Sequence, residues 1–570
     1  MARASCVVAA VALLLTVTSV AGQVLVDGEA RPSSGLGLPP LPEVTPASDL
    51  TDIMYADRYN PDPTEPPPPP GGGATPVQIT LPGSQTGTGF QEIFWYQLPS
   101  TYNPQGPPVP MVLAWHGFGG SAQTVQNQST LDEECDTRGW IYCSVTGLDD
   151  QLFGSPPSQQ NADAALDWIM TNLNVDEDRI YMVGFSMGAG VTANFAARHR
   201  DPEGHMIAAI GLLGGAWDFT QTYNTSSGAT QSLLENPFNF GGSPTQVPFN
   251  YKAASALYFD TATYPPLPGT LLADESMAIN LATIPAHITW DPLDITTLVQ
   301  EHNPAMVAHL QSLGGTVVSN VTLTPGGVHH TWDTLNEADL FDFFDGKSVT
   351  RYPADYTARL ADSGKVSYTD VVIRRVDDFA NVVASADDVA GTVSLSGVDN
   401  TKIITLHLDD AGLNAHASPR ITATSVDADG FQLRLVGFDT RPSYLVDAVT
   451  GDHITGVDSD PLQDMLIVDV PGNSTLDATV VFDPYWVTTL YTDPNPAQLG
   501  GFVQLEIDAP ADGNNILAFT VLSAGEDLLD FYGVTKLAAD VDPPSVIFPL
   551  LLDGAGDGAE VNRTAGGQAA

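Results

Sequence analysis

Between Val109 and Val349, short apolar runs alternate with longer stretches of helical spacing. That alternation limits the possible folds more than any other feature of the chain. "VPMVLAWHG" is followed by "SAQTVQNQSTLDEECDTRG", "WIYCSVTG" by "NADAALDWIMTNLN", and "RIYMVGF" by "MGAGVTANFAARHR"; "MIAAIGLLGG" and "AHITWD" come later. A strand that is apolar on both faces has to be covered on both faces, and strand–helix–strand connections make such strands parallel. The pattern therefore predicts an α/β domain over residues 75–349, a mostly parallel sheet with helices on both faces. The alternation lapses over about residues 217–280, where the sequence is aromatic, Pro-rich and loop-like. That stretch is long for a connection and reads as an insertion that caps or contacts a substrate.

The flanks have other characters. At the N-terminus Arg3 supplies a positive charge, Val7 to Val17 an apolar run, and Ser19 to Gly22 small residues. This is the form of a secretory signal peptide over residues 1–22, so a secreted protein is expected. The apolar run is short for a bilayer span, and no membrane anchor is expected. Residues 23–74, ending in "PDPTEPPPPPGGG", read as a Pro/Gly-rich linker. After about Pro353 the runs become short and β-branched ("KIITLHL", "RITATSV", "FQLRLVGF", "DMLIVDV"), separated by Gly, Asp and Asn. A β-sandwich-like domain over 354–486, a small β-rich domain over 487–553 and a disordered tail over 554–570 are expected. With 20 Lys and Arg against 68 Asp and Glu, the net charge is −48. A field of that sign repels nucleic acid and anionic membranes, which removes both as partners.

The chemistry concentrates in the α/β part. Ser186 sits in "VGFSMGAG", after an apolar run ending at Phe185 and before a helical stretch beginning at Met187. Glycines on either side let a strand and a helix meet closely and leave the hydroxyl exposed, the setting of an activated nucleophile. Upstream, His116-Gly117-Phe118-Gly119-Gly120 directly follows an apolar run. The Phe118 N–H in that loop and the Met187 N–H are the expected oxyanion donors, with His116 and Gly117 as supporting loop residues. Downstream, "AHITWDPLDITTLV" offers Asp291 and Asp294 as the orienting acid. Asp294 is preferred, because the stretch resembles a G-x-x-D-x-x-V loop with Asp291 in the glycine place. "GGVHHTW" then offers His329 and His330 as the base, His330 preferred because it stands two residues before Trp332. The order Ser, Asp, His suits nucleophilic acyl transfer, which needs no cofactor. No further His or Cys cluster completes a metal site around the two histidines. Trp217 and Trp332 are candidate substrate contacts. Cys135 and Cys143, close together in a chain expected to be exported, are a possible disulfide.

Taken together, "WHGFGGSA", "NVDEDRIYMVGFSMGAG", "WDPLD" and "GGVHHTW" resemble the secreted polyhydroxybutyrate depolymerase and feruloyl esterase-like group of α/β-hydrolases, over roughly residues 77–347. The resemblance implies an α/β-hydrolase catalytic domain with Ser186, Asp294 and His330 at the triad positions. It also implies a carboxylic-ester hydrolase acting on a polyester such as polyhydroxybutyrate, or on feruloyl or acetyl esters of polysaccharides. The sequence departs from the group in two places. The usual H-G-T-x-D stretch appears as Trp290-Asp291-Pro292-Leu293-Asp294, and the insertion after Trp217 is long. The β-rich C-terminal half is similar to accessory modules of secreted depolymerases, a possible means of holding an insoluble polymer. A serine peptidase of the same fold and a catalytically silent surface-binding protein are the alternatives.

Overall fold

The structure, a computed structural model, describes residues 75–260, 262, 268–324, 328–439, 442, 444–457 and 465–482. It gives the backbone alone for 458–460 and for strand segments within 23–32 and 486–561. The stretch over 1–22 read as a signal peptide, the tail expected over 554–570 except the backbone of 559–561, and Gly326-Gly327 lie outside the described residues. Of residues 23–74, what is described is the backbone of one antiparallel pair, Gln23–Val26 with Glu29–Pro32.

Eight strands form the main sheet. They are β1 (Val77–Leu81), β2 (Glu92–Gln97), β3 (Val109–Trp115), β4 (Ile141–Val145), β5 (Val175–Phe185), β6 (Ala209–Leu213), β7 (Ala286–Trp290) and β8 (Val317–Val321). Their spatial order is β1-β2-β4-β3-β5-β6-β7-β8. β2 runs antiparallel to both neighbours, and all other pairs are parallel. Apart from a single helical turn over Gly83–Thr86, the helices of the described residues are α1 (Ala122–Gln128), α2 (Leu131–Arg138), α3 (Pro156–Asn172), α4 (Met187–Arg198), α5 (Phe219–Thr225), α6 (Gly228–Leu234), α7 (Pro248–Ala254), α8 (Thr297–Ser312) and α9 (Glu337–Phe344).

Each central strand feeds two cores, because successive side chains point to opposite faces. Met111, Leu113 and Trp115 of β3 join Ala165 of α3, Val191 of α4 and Met306 of α8 on one face. Val112 and Ala114 join Val125 of α1, Leu131 of α2 and Phe341 of α9 on the other. The second layer is fastened by aromatic contacts: Tyr181 and Phe344 stack at 4.8 Å between ring centroids, and Trp140 and Phe341 at 5.3 Å. Helices therefore lie on both faces of a mostly parallel sheet, as the alternation of runs requires.

The stretch over 217–280 is not loop-like. It folds into α5, α6 and α7 and two short 3₁₀ turns. Its aromatic side chains explain why: Phe219, Phe240, Tyr251 and Phe259 are buried in the first core instead of facing solvent. Asp218 starts α5 by accepting from Gln221 N at 3.0 Å, and its other oxygen accepts from Phe259 N at 2.8 Å.

The chain divides into two compact units, the first spanning residues through Leu413 together with Thr422–Val436 and Val468–Leu476. This unit includes the first β-rich strands. Asp355–Leu360, Ala380–Asp387 and Thr392–Asp399 pair antiparallel in succession. A second set comprises Gly364–Val366, Thr369–Ile373, Thr401–His407 and Phe431–Val436, the last pair parallel. Burial alternates residue by residue along Phe431–Val436, as in a strand with one wet face. Ala361 and Phe379 enter the α/β core itself, and Phe379 meets Phe249 edge-on at 5.0 Å. Arg359 donates to the carbonyls of Ala273 and Ser276, and Asn280 accepts from Arg359 N. In the second unit, Tyr444–Asp447 pairs antiparallel with residues 478–481. Trp486–Thr492, Phe502–Asp508 and Ser545–Leu552 are described as an antiparallel set of backbones.

Candidate active site

Ser186 stands between the end of β5 and the first residue of α4, with φ 55° and ψ −118°. A non-glycine residue in that region costs on the order of 1–3 kcal/mol and persists only where its surroundings enforce it. Here the enforcement is visible. Ser186 N donates to Leu213 O at 2.8 Å, and two glycines let the backbones close around the turn. A Cβ on Gly184 would lie 2.1 Å from Gly188 O, and one on Gly188 would lie 2.4 Å from His116 O. The small residues flanking the serine are needed for packing.

The His and Asp loops converge on this hydroxyl. His330 Nε2 lies 2.8 Å from Ser186 Oγ, and His330 Nδ1 lies 2.7 Å from Asp294 Oδ2. A carboxylate accepts only, so Nδ1 carries the hydrogen and Nε2 is left as acceptor for the serine hydroxyl. Asp294 is 3% exposed. Its other oxygen accepts from Thr296 N at 2.7 Å, which ties the carboxylate to its own turn. The imidazole rests against Phe185, 4.7 Å between ring centroids. The neighbouring pair is also joined: His329 Nδ1 lies 3.0 Å from Asp291 Oδ2. Of the two Asp and two His alternatives, Asp294 and His330 are therefore the pair placed on Ser186.

The loop after β3 passes directly over the nucleophile. A Cβ on Gly117 would stand 3.5 Å from Ser186 Cβ. Met187 opens α4, where the first amides of a helix have no partner within it, so its N–H is available to an anion. The loop is held from outside by residues 146–150: His116 Nε2 lies 3.0 Å from Thr146 O, and Gly119 N donates to Asp150 O at 2.8 Å.

Behind that second loop stands a residue that sequence reasoning missed. The Glu92 carboxylate is fully buried and accepts from Thr146 N and Gly147 N at 2.9 Å and Leu148 N at 2.8 Å, with Asn161 Nδ2 at 3.2 Å. Burial pushes its pKa up, and these hydrogen bonds oppose the shift. A lone acid opening the apolar run "EIFWYQ" was the available signal. Glu92→Gln places a donor among donors, and chemical denaturation should show a loss of about 2 kcal/mol. An unchanged midpoint would show that the loop does not depend on this carboxylate.

On the opposite side, His302 is fully buried, which lowers its pKa to about 3 and keeps the ring neutral. Neutral imidazole is what its partners require. Nδ1 accepts from Trp217 N at 3.1 Å, and Nε2 donates to Gln221 Oε1 at 2.7 Å. This fixes the segment that leaves β6 beside His330.

Three expectations fail. Cys135 and Cys143 are both free and buried. Cys143 shares the face of Ile141 and Val145, whereas α2 carries Cys135 into the core on the other face of the sheet. The two-residue period of β4 points Cys143 into one layer while α2 packs Cys135 into the other. Trp217 and Trp332 are not open to a substrate, being 0% and 3% exposed. Trp217 fills the core beneath the insertion. Trp332 lies against Phe185 at 5.4 Å, beneath the His330 ring's own support.

A sheet in this strand order, with a strained serine between its fifth strand and the following helix, gives the domain the α/β-hydrolase fold. No family model matches the chain. The sequence is 28% identical over 172 residues to "Putative esterase NocK" of Nocardia uniformis subsp. tsuyamanensis, a match covering 27% of this chain and 49% of that protein. The chain thus spans about half the length of the curated relative it matches. Similar solved structures include the thermostable carboxylesterase EstE1 from a metagenomic library, with 17% identity, a TM-score of 0.34, and coverage of 48% of this chain and 86% of that one. A ferulic acid esterase has 13% identity, a TM-score of 0.35, and coverage of 47% and 95%. An esterase from Pyrobaculum calidifontis has 18% identity, a TM-score of 0.31, and coverage of 47% and 82%.

Proposed function

We propose that the protein is a secreted carboxylic-ester hydrolase that works through an acyl-enzyme on Ser186. The observation that carries this reading is the unbroken chain Ser186 Oγ, His330, Asp294, with both links at hydrogen-bond distance. His330 takes the hydroxyl proton as Ser186 attacks the ester carbonyl. Asp294 holds the ring in the required tautomer and stabilises its charged form. The N–H groups of Phe118 and Met187 receive the oxyanion, His330 returns the proton to the leaving alcohol, and water then releases the acyl group. The leader read in residues 1–22 supports export. Among the described residues no helix is long and apolar enough to cross a membrane.

The surroundings of the triad favour a hydrophobic polyester, such as polyhydroxybutyrate, over acetylated polysaccharide. Phe118 on the oxyanion loop is 44% exposed. Leu293 and Ile295, on either side of Asp294, are 57% and 81% exposed, and Val328, two residues before His330, is 62% exposed. Large apolar side chains left open at a site mark a surface that meets an apolar partner. Polyhydroxybutyrate granules, methyl ferulate and acetylated xylan, assayed side by side, test this. Release of soluble hydroxyacids from the granules is expected; activity confined to acetylated xylan would overturn the substrate class.

A second expectation concerns the same rim. The double variant Leu293→Ser with Ile295→Ser should slow granule hydrolysis by about 10- to 30-fold, if each side chain buries enough surface on the polymer for about 1 kcal/mol. Turnover of p-nitrophenyl acetate should change by less than about threefold, since it is too small to reach the rim. Equal losses on both substrates would show that the rim supports the triad instead of meeting the polymer.

A further inference from the structure

Beside the proposed triad lies a second His–Asp pair that the acyl-transfer reading does not use. The Asp291 side chain is completely buried at the end of β7. Its Oδ1 accepts from Leu293 N at 2.8 Å, inside the turn that presents Asp294. Its Oδ2 accepts from Thr324 N at 2.7 Å and faces His329 Nδ1 at 3.0 Å. The Asp291 carbonyl accepts from Asp294 N at 3.1 Å. One residue therefore bonds to the acid-bearing turn and to two points of the segment that delivers the base. Thr324 Oγ1 and Thr334 Oγ1, on either side of the two histidines in the chain, lie 2.7 Å apart.

We propose that Asp291 and His329 form a positioning pair, coupling the turn that carries Asp294 to the loop that carries His330 so that the acid–base distance is set before substrate binds. This rests on the reading of Ser186, Asp294 and His330 as the triad.

The geometry gives the reason. His330 has to satisfy two partners at once, 2.7 Å and 2.8 Å away, and both come from other segments of the chain. A catalytic group held loosely by as little as 1 Å loses about 100-fold in rate. His330's own ring contact, with Phe185, sets the face on which the ring lies and leaves its advance toward Asp294 open. His329 sets that advance, because it is covalently next to His330 and bonded to the residue that shapes the Asp294 turn. Burial by itself would raise the Asp291 pKa, yet the bonds from Thr324, His329 and Leu293 hold the carboxylate far below its usual range. The anchor is therefore charged, and each bond to it is charge-assisted. His329 is partly exposed, with 22% of its side chain open, so replacing it does not hollow the core.

The test compares His329→Leu, which keeps the bulk and removes the donor, with His329→Asn, whose amide N–H can stand where Nδ1 stood. For hydrolysis of p-nitrophenyl butyrate, His329→Leu should lower kcat by about 10- to 100-fold with KM within about twofold, and His329→Asn should recover most of the loss. Inactivation of Ser186 by a fluorophosphonate should slow in parallel. If His329→Leu lowers the melting temperature while kcat stays at the wild-type value, the pair is structural and the proposal fails. Should His329→Leu not fold, His329→Asn alone decides: kcat near wild type supports the pair, and the full loss overturns it. Ser186→Ala, run alongside, separates the two readings. Full activity there removes the triad itself, whereas an inactive Ser186→Ala with a fully active His329→Leu removes only the positioning pair.

Discussion

Ser186→Ala should reduce ester turnover by about 10⁵- to 10⁶-fold while the protein stays folded. The size follows from what the hydroxyl does in the proposed mechanism. Without Oγ no acyl-enzyme forms, and the remaining groups give only oxyanion stabilisation and binding to a slow attack by water. The fold should survive, because Ser186 Oγ bonds to His330, a residue 19% open at its side chain. Losing such a bond costs about 1 kcal/mol or less. The strain at φ 55° remains in the variant, since alanine meets the same steric limits there as serine. Stopped-flow release of p-nitrophenol gives the rate, and thermal melting gives the fold. Mass spectrometry after a fluorophosphonate should show an adduct on the Ser186 peptide of the wild type and none in the variant. Hydrolysis at the wild-type rate would mean that the nucleophile lies elsewhere.

How much of this was legible in the sequence depends on whether a contact is local. The parallel sheet is visible because its central strands are mostly apolar; Ser186 and Asp294 are visible because each follows the end of such a run, and His330 because it stands after a Gly-Gly turn and two residues before Trp332. Glu92 was not visible as a support. Its bonds reach Thr146, Gly147, Leu148 and Asn161, across 54 to 69 residues of chain. In the sequence Asp291 reads as a rival acid, and no spacing shows that it instead bonds to both loops. The helices within 217–280 escaped because α5, α6 and α7 are seven residues each, too short for a 3.6-residue period to repeat convincingly. The cysteines show the opposite case: they are near in sequence, but the strand and the helix that carry them place them on different faces of the sheet. The change of composition near residue 350 is real, yet the core crosses it through Ala361 and Phe379.

The second large effect is expected at Gly188→Ala, and here two terms of opposite sign compete. Gly188 lies in the first turn of α4, where alanine improves helix propensity by about 1 kcal/mol. Against that, the added Cβ would stand 2.4 Å from His116 O and 2.5 Å from Trp115 O. Both are main-chain oxygens at the end of β3, and neither can turn away as a side chain could. Overpacking of this kind costs about 1–3 kcal/mol or more, so the clash should win and leave the variant roughly 2 kcal/mol less stable. The displacement is directed at the residues that start the proposed oxyanion loop, so kcat should fall by about 100-fold in the protein that remains folded. Gly346→Ala separates the two effects. Gly346 has φ 73° with open space around it, so it should lose about 1 kcal/mol from backbone strain and keep full kcat. Denaturant midpoints and active-site-titrated kcat for the two variants decide the matter. If Gly188→Ala keeps the wild-type kcat, the β3 end and α4 do not need their close approach, and the loop after β3 is held by residues 146–150 alone.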